Sequence, residues 1–199
     1  MARINVDCDG VVCDFIPGLF AALKAKGFDP GPIDSPNYHT WDVLKNVPKE
    51  CSTPMFAMLA KHKFWEDLPV IDGAQKAIAA LRDAGHHIHW VTSPWESCFG
   101  WADARRYWLE ENFKHPDQNT HKDLTVTGTK NFIWADVFID DKADHIIGWH
   151  EHHPGPEHRA ILYKTTFNVD HHHDLDHIEW SDESVEKILA WLRGDLNEW

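Results

Sequence analysis

The stretch Ile4-Asn5-Val6-Asp7-Cys8-Asp9-Gly10-Val11-Val12-Cys13-Asp14-Phe15 decides how this chain is read. A short apolar run leads straight into two carboxylates one residue apart, then a glycine, then the start of a helix. Side chains alternate along an extended backbone, so Asp7 and Asp9 project to the same side at the strand's carboxyl end. Open α/β sheets bind their ligands at that edge. Two acids beside a tight glycine turn can hold a divalent cation and divide the roles of nucleophile and acid/base. The expected chemistry is phosphoryl transfer.

Working outward, five β-rich runs stand out: Ile4–Asp7, His87–Thr92, Leu124–Thr127, Val137–Asp140 and Ala160–Tyr163. Helical stretches separate most of them, the pattern of a parallel sheet with crossover helices. Gly73–Ala84 carries an apolar stripe of Ala74, Ala77, Ile78 and Leu81, and Gly85 stops it. Ser97–Phe113 reads as a second helix, and Asp182–Arg193 as a third, capped by Ser181. Roughly 80 residues lie between the first two strands, far more than a simple crossover needs. They begin with a helix over Phe15–Lys26, pass a Pro/Gly/Asp-rich loop at Asp29–Pro36, and continue into a helix around Pro54–Lys63. The expected architecture is an α/β, doubly wound five-stranded parallel sheet made by residues 1–16 and 71–199, with a small helical cap, residues 17–70, inserted after the first strand.

Composition narrows the partners. Lys+Arg total 19 against Asp+Glu 32, a net charge of −13, which repels the phosphate backbone of a nucleic-acid polymer. The four cysteines (Cys8, Cys13, Cys51, Cys98) show no close metal-type pairing, and a bridge between Cys8 and Cys13 would distort the acidic loop, so a reduced, cytoplasmic setting is expected. No leader is expected before the first strand, and no apolar run approaches the ~18 residues of a membrane span.

Four elements fall at the ends of successive strands: Asp7-Cys8-Asp9-Gly10, then Val91-Thr92-Ser93-Pro94, then Lys130, then Val137-Phe138-Ile139-Asp140-Asp141. In that order they closely resemble the haloacid dehalogenase superfamily of aspartate-nucleophile phosphatases. Pro69-Val70-Ile71-Asp72-Gly73-Ala74, Thr129-Lys130, Ala135–Asp141 and Leu162-Tyr163-Lys164-Thr165-Thr166-Phe167-Asn168 further resemble its 5′(3′)-deoxyribonucleotidases.

The resemblance implies that Asp7 attacks phosphorus and that Asp9 protonates the leaving sugar oxygen, then activates water. It implies Mg²⁺ held by Asp7, the Asp9 carbonyl and one acid of Asp140-Asp141, with Asp140 favoured over Asp141. Lys130 would offset the charge of Asp7 and the phosphoryl group, while Thr92, Ser93 and nearby N–H groups bind phosphoryl oxygens. The implied partner is a small nucleoside monophosphate, which leaves a homodimer open. Phe15 matches the family's aromatic past the nucleophile loop, with Trp41, Phe64, Trp65 and Trp95 as candidates for the rest of the base pocket. Glu96 and Gly128 depart from the family, where some members carry lysine and arginine.

Other readings stand beside these. An Asp-x-Asp alone is commonly a solvated turn or helix cap, and Asp14 reads as a cap of the first helix. Trp101 and Trp108, seven apart on one helix face, suit burial better than binding. The runs His150-Glu151-His152-His153 and His171-His172-His173-Asp174 read as polar loops that bind transition metals only adventitiously. The rival functions are a phosphatase of another small ester, such as a sugar phosphate, a phosphoacceptor signalling domain, and a histidine-rich metal store.

Overall fold

Among the described residues six strands, not five, form the sheet, in the order β3-β2-β1-β4-β5-β6 and parallel throughout. They are β1 (Arg3–Val6), β2 (His87–Thr92), β3 (Leu124–Val126), β4 (Val137–Asp140), β5 (Arg159–Tyr163) and β6 (His177–Ile178). The computed structural model describes residues 1–32, 47–119, 122–165, 168 and 174–196. The sixth strand is two residues between Asp176 and Glu179, too short to show a periodicity. It forms because β5 still offers an open edge: Leu162 N donates to Asp176 O and Lys164 N to Ile178 O, both at 2.8 Å.

Among the described residues seven α-helices accompany the sheet: α1 (Phe15–Ala25), α2 (Lys49–Leu59), α3 (His62–Glu66), α4 (Ala74–Asp83), α5 (Trp101–Phe113), α6 (Ala143–His152) and α7 (Asp182–Arg193). Strands β1, β2, β4 and β5 are buried along most of their length because apolar clusters cover both faces. The larger cluster joins Ile4, Val6, Trp90 and Ile139 to α1, α4 and α5; the smaller packs Phe138, Ala160 and Leu162 against Ile146 and Trp149 of α6. Helix α7 starts on a reciprocal cap, Ser184 N donating to Ser181 Oγ at 3.1 Å and Ser181 N to Ser184 Oγ at 3.0 Å.

Several boundaries differ from the sequence reading. Helix α5 starts at Trp101 and not at Ser97, because Gly100 at φ +78° breaks the preceding turn. The expected helix around Pro54–Lys63 is two helices, separated where Lys61 becomes extended. His150 and His152 lie on the last turn of α6 and not in a loop, a favourable place for a basic side chain opposite the helix dipole. The second histidine run, 171–173, lies outside the described residues. Asp14 occupies the N-cap position of α1 but makes no side-chain cap bond.

Successive connections run outward from β1 to β2 and β3, then return to the other side of β1 for β4. The strand order therefore reverses between β1 and β4, the point where an open α/β sheet leaves a crevice at its carboxyl edge. Among the described residues no helix is long and apolar enough to cross a membrane, and all four cysteines are free and buried.

Candidate active site

The β1/β4 crevice is lined by acids because both strands end in them. Val6 pairs with Ile139, and Asp7 N donates to Ile139 O at 2.9 Å, which sets Asp7 beside Asp140. Lys130, on a single 3₁₀ turn (Lys130–Phe132) that follows β3, reaches between them. Its Nζ lies 2.6 Å from Asp7 Oδ2 and 2.8 Å from Asp140 Oδ2. All three side chains are buried. Burial lowers the lysine's pKa, but Asp140 and Asp7 more than reverse that and raise it.

The two aspartates are treated very differently. Burial pushes the Asp7 carboxyl up to about 6, against the pull of Lys130. Asp140 is equally buried, yet Lys130 and His145 hold its carboxyl below the usual range. Lys142 N donates to its Oδ1 at 2.9 Å, and His145 Nδ1 lies 3.0 Å from both oxygens. Both oxygens of Asp140 are therefore committed inside the protein.

Asp141 is the acid left facing the cavity. It is buried, no donor bonds its carboxylate among the described residues, and burial with the charges of Asp140 and Asp7 raises its pKa well above the ordinary value. A carboxylate so placed calls for a cation. The carboxylate oxygens of Asp7, Asp140 and Asp141 lie within 4.8 Å of one another, and all-oxygen donors suit a hard divalent ion. Asn168 fixes the Asp141 backbone, its Nδ2 donating to Asp141 O and Tyr163 O at 2.8 Å each.

Gly10 is required beside it. Its φ is +79°, and a Cβ there would stand 1.8 Å from Asp141 Oδ2. Gly10→Ala should cost about 1–3 kcal/mol from backbone strain and should move Asp141, seen as a lower urea midpoint together with lost activity. Unchanged stability and turnover would contradict this geometry.

Asp7, Asp9, Gly10, Thr92, Ser93, Lys130 and Asp141 open onto a cavity of about 770 Å³. Part of its wall is aromatic. Phe15, Trp65 and Trp95 line it, and Phe15 stacks on Trp65 with centroids 5.4 Å apart and planes 2° from parallel. Phe64 is not on the lining; it supports the wall from behind, edge-on to Phe15 and Trp65. Trp41 lies outside the described residues. Trp101 and Trp108 are both buried as expected, Trp108 Nε1 donating to Leu68 O at 2.7 Å, and Trp101 in addition borders the cavity. Tyr163, Lys164 and Trp180 line it too and were not singled out as site residues. Glu96 and Gly128, the two departures, are both exposed and off the lining.

Sequence reasoning also missed Arg105, whose Nη2 lies 2.5 Å from Asp9 Oδ1. A second group of potential ligands, His87, His89 and Asp123, sits at the amino ends of β2 and β3, away from the cavity. It already has its own cation: His87 Nε2 lies 3.0 Å from Asp123 Oδ1, His89 bonds Thr125 Oγ1, and Arg3 bears on both His89 and Asp123. His152, His153 and His158 are tied to the backbone carbonyls of Gly148, Asn131 and Ala135, structural contacts that do not suggest a metal store.

Residues 1–189 match the family described as 5′ nucleotidase, deoxy (pyrimidine), cytosolic type C protein. The chain belongs to that family. It is thus a phosphoric monoester hydrolase of the deoxyribonucleotidase type within the haloacid dehalogenase superfamily, and the signalling alternative falls away. The mouse (Mus musculus) mitochondrial 5′(3′)-deoxyribonucleotidase is 26% identical over 171 residues, covering 83% of this chain and 74% of that protein. Two solved structures share the fold. A haloacid dehalogenase-like hydrolase from Burkholderia xenovorans LB400 has a TM-score of 0.59 at 15% identity, over 96% of this chain and 97% of that one. A family hydrolase from Deinococcus radiodurans R1, solved with phosphate and sodium bound, has a TM-score of 0.54 at 11% identity, over 96% of each chain.

Proposed function

We propose that the protein hydrolyses nucleoside monophosphates, deoxyribonucleotides in preference, with Mg²⁺ and through an aspartyl-phosphate on Asp7. One observation carries the reading: a single cavity is lined both by Asp7, paired with Lys130, and by the aromatic rings of Phe15, Trp65 and Trp95. Such a wall suits a nucleobase, whose stacking contributes about 1–3 kcal/mol, whereas a sugar phosphate brings no aromatic ring to stack on it. The family description and the mouse relative support the deoxy preference. The four buried free cysteines support a reducing compartment such as the cytoplasm.

In this mechanism an Asp7 carboxylate oxygen attacks phosphorus as the bond to the sugar oxygen breaks, and Asp9 supplies that oxygen's proton. Water then attacks the acyl phosphate, Asp9 takes the water's proton, phosphate leaves and Asp7 is regenerated. Lys130 holds Asp7 against the negative phosphoryl group, and Thr92 with Ser93 offers hydroxyls to its oxygens. The metal would be held by the Asp7 carboxylate, the Asp9 carbonyl and Asp141; Asp140, the favoured ligand from sequence, has both oxygens occupied by Lys130, Lys142 N and His145. Bound there, Mg²⁺ supplies positive charge that offsets the phosphoryl oxygens and the clustered acids. Residues 17–70 are the cap and residues 1–16 with 71–199 the core: α3 of the cap brings Trp65 to the cavity, and α1 begins with Phe15 at its rim.

The test is phosphate release from dUMP, dTMP, UMP and a set of sugar phosphates, with Mg²⁺ and with EDTA. The deoxynucleotides should turn over fastest and EDTA should stop the reaction; faster turnover of sugar phosphates would sink the reading. Independently, Mg²⁺ at 100 times its dissociation constant should stabilise the fold by about 2.7 kcal/mol. Asp141→Asn should remove that gain in a thermal melt, whereas a retained shift would take Asp141 out of the ligand set.

A further inference from the structure

We propose that Arg105 is a positioning residue for Asp9, fixing one oxygen of that carboxylate so that the other is presented to the leaving group. This rests on the proposed role of Asp9. Arg105 is on α5 and is wholly buried, 0% exposed, yet its one ion-pair partner among the described residues is a carboxylate on the cavity lining that is itself 29% exposed. The Arg105 Nη2 to Asp9 Oδ1 separation is 2.5 Å, and no donor bonds Asp9 Oδ2 among the described residues. Asp9 thus has one oxygen anchored and one left for chemistry.

The surroundings of the guanidinium are unlike those of a structural arginine. Its Nε and Nη1 find no hydrogen-bond partner at normal geometry among the described residues, apart from the weakly accepting Cys13 thiol beside it. Three tryptophans enclose it, with Cζ 5.8 Å from Trp65, 5.5 Å from Trp101 and 5.4 Å from Trp108. A buried guanidinium with one charged partner, and with Nε and Nη1 lacking oxygen acceptors, is a costly arrangement in a dry cage, weak as a device for stability. It is effective at holding a charge in one place, because the planar fork cannot swing inside three ring systems. Burial lowers the guanidinium's pKa, but Asp9 with the neighbouring Cys13 and Cys8 more than restores it, so the cation persists.

The cage also joins two functions. Trp65 and Trp101 face the cavity on one side and Arg105 on the other. The wall offered to the base and the group that aims the acid therefore share one support, and a shift in the wall reaches Asp9 through Arg105.

The experiment compares kcat/KM for dUMP with kcat/KM for p-nitrophenyl phosphate in wild type, Arg105→Met, Arg105→Lys, Asp9→Asn and the Asp9→Asn/Arg105→Met double variant. A sugar alkoxide needs protonation as it leaves; a nitrophenolate needs far less. If Arg105 acts through Asp9, Arg105→Met should lose about 100-fold on dUMP and at most about threefold on the aryl ester, within the range for general acid catalysis. Arg105→Lys keeps the charge but not the fork, and should lose about tenfold on dUMP alone. In the Asp9→Asn background the Arg105→Met change should have no further effect on dUMP. Equal losses on both esters, or additive losses in the double variant, would assign Arg105 a merely structural role and overturn the proposal. Should Arg105→Met fail to fold, Arg105→Lys alone decides by the same ratio. If wild type cleaves no nucleotide, the function reading fails separately, and an alkyl phosphate against the aryl ester still tests Arg105.

Discussion

Asp7→Asn should abolish phosphate release, by about 10⁴-fold or more, while the protein melts no lower than wild type. The first half follows from role: an amide oxygen is a poor nucleophile, and no other described carboxylate is both open to the cavity and paired with Lys130 in its place. The second half follows from electrostatics. In the metal-free protein Asp7 shares a buried cluster with Asp140 and Asp141, three acids around one lysine. Burial raises its pKa to about 6, above the ~3.9 of an unfolded aspartate. A raised acid favours the folded state at low pH and loses that advantage as pH rises through the window between those values. At pH 7.5 ionised Asp7 is therefore a burden on the fold, and a neutral amide of the same shape relieves it. Lys130 retains Asp140 at 2.8 Å. Acid-quench labelling with ³²P-dUMP should show a phosphoenzyme in wild type and none in the variant. More than about 1% residual turnover, with label on another residue, would displace Asp7 from its assigned role.

How much of this site could be read from the chain depends on how local each signal was. Asp7, Asp9 and Gly10 sit within four residues, and a strand followed by a tight turn is visible as such. Thr92 and the Asp140-Asp141 pair were legible because strands that end in polar side chains mark the sheet's functional edge. The choice between Asp140 and Asp141 was not legible. Neighbouring residues at a strand end point opposite ways, and only the position of Lys130 and His145 shows which carboxylate is committed. Arg105 was hidden for a different reason. Its partner is 96 residues away, and α5 was read for its apolar stripe alone. One signal was present: Arg105 is four residues after Trp101 and three before Trp108, so it lies on the buried face of its own helix. A charged residue on a buried stripe is worth asking about. Strand β6 left no signal at all in two residues, and its place depends on the edge that β5 offers.

The same charge cluster yields the largest stability effect. Lys130→Met should destabilise the metal-free protein by about 3–5 kcal/mol, the usual consequence of stripping one partner from a buried ion pair, and should cut turnover by at least the 10²–10³-fold typical of losing one charge-stabilising donor. Methionine matches the stem of lysine, so packing changes little, and the effect isolates the ammonium group. Without it, Asp7 and Asp140 face each other with no cation between them, and Asp141 remains close by. The pH dependence should then run in one direction. Asp7 and Asp141 already have folded-state pKa values above their unfolded ones, and losing Lys130 raises them further. The stability deficit should therefore be smallest near pH 4, where these two carboxyls are protonated in the folded state, and should grow as pH rises to 6 and beyond. Added Mg²⁺ should recover more stability in this variant than in wild type, since the ion replaces part of the missing charge. Urea midpoints of both proteins at pH 4.5, 6 and 7.5, with EDTA and with Mg²⁺, measure all of this. A variant as stable as wild type at pH 7.5 in EDTA would mean that Lys130 does not carry the charge balance of the site, and the pairing geometry at the β1/β4 crevice would lose its energetic meaning.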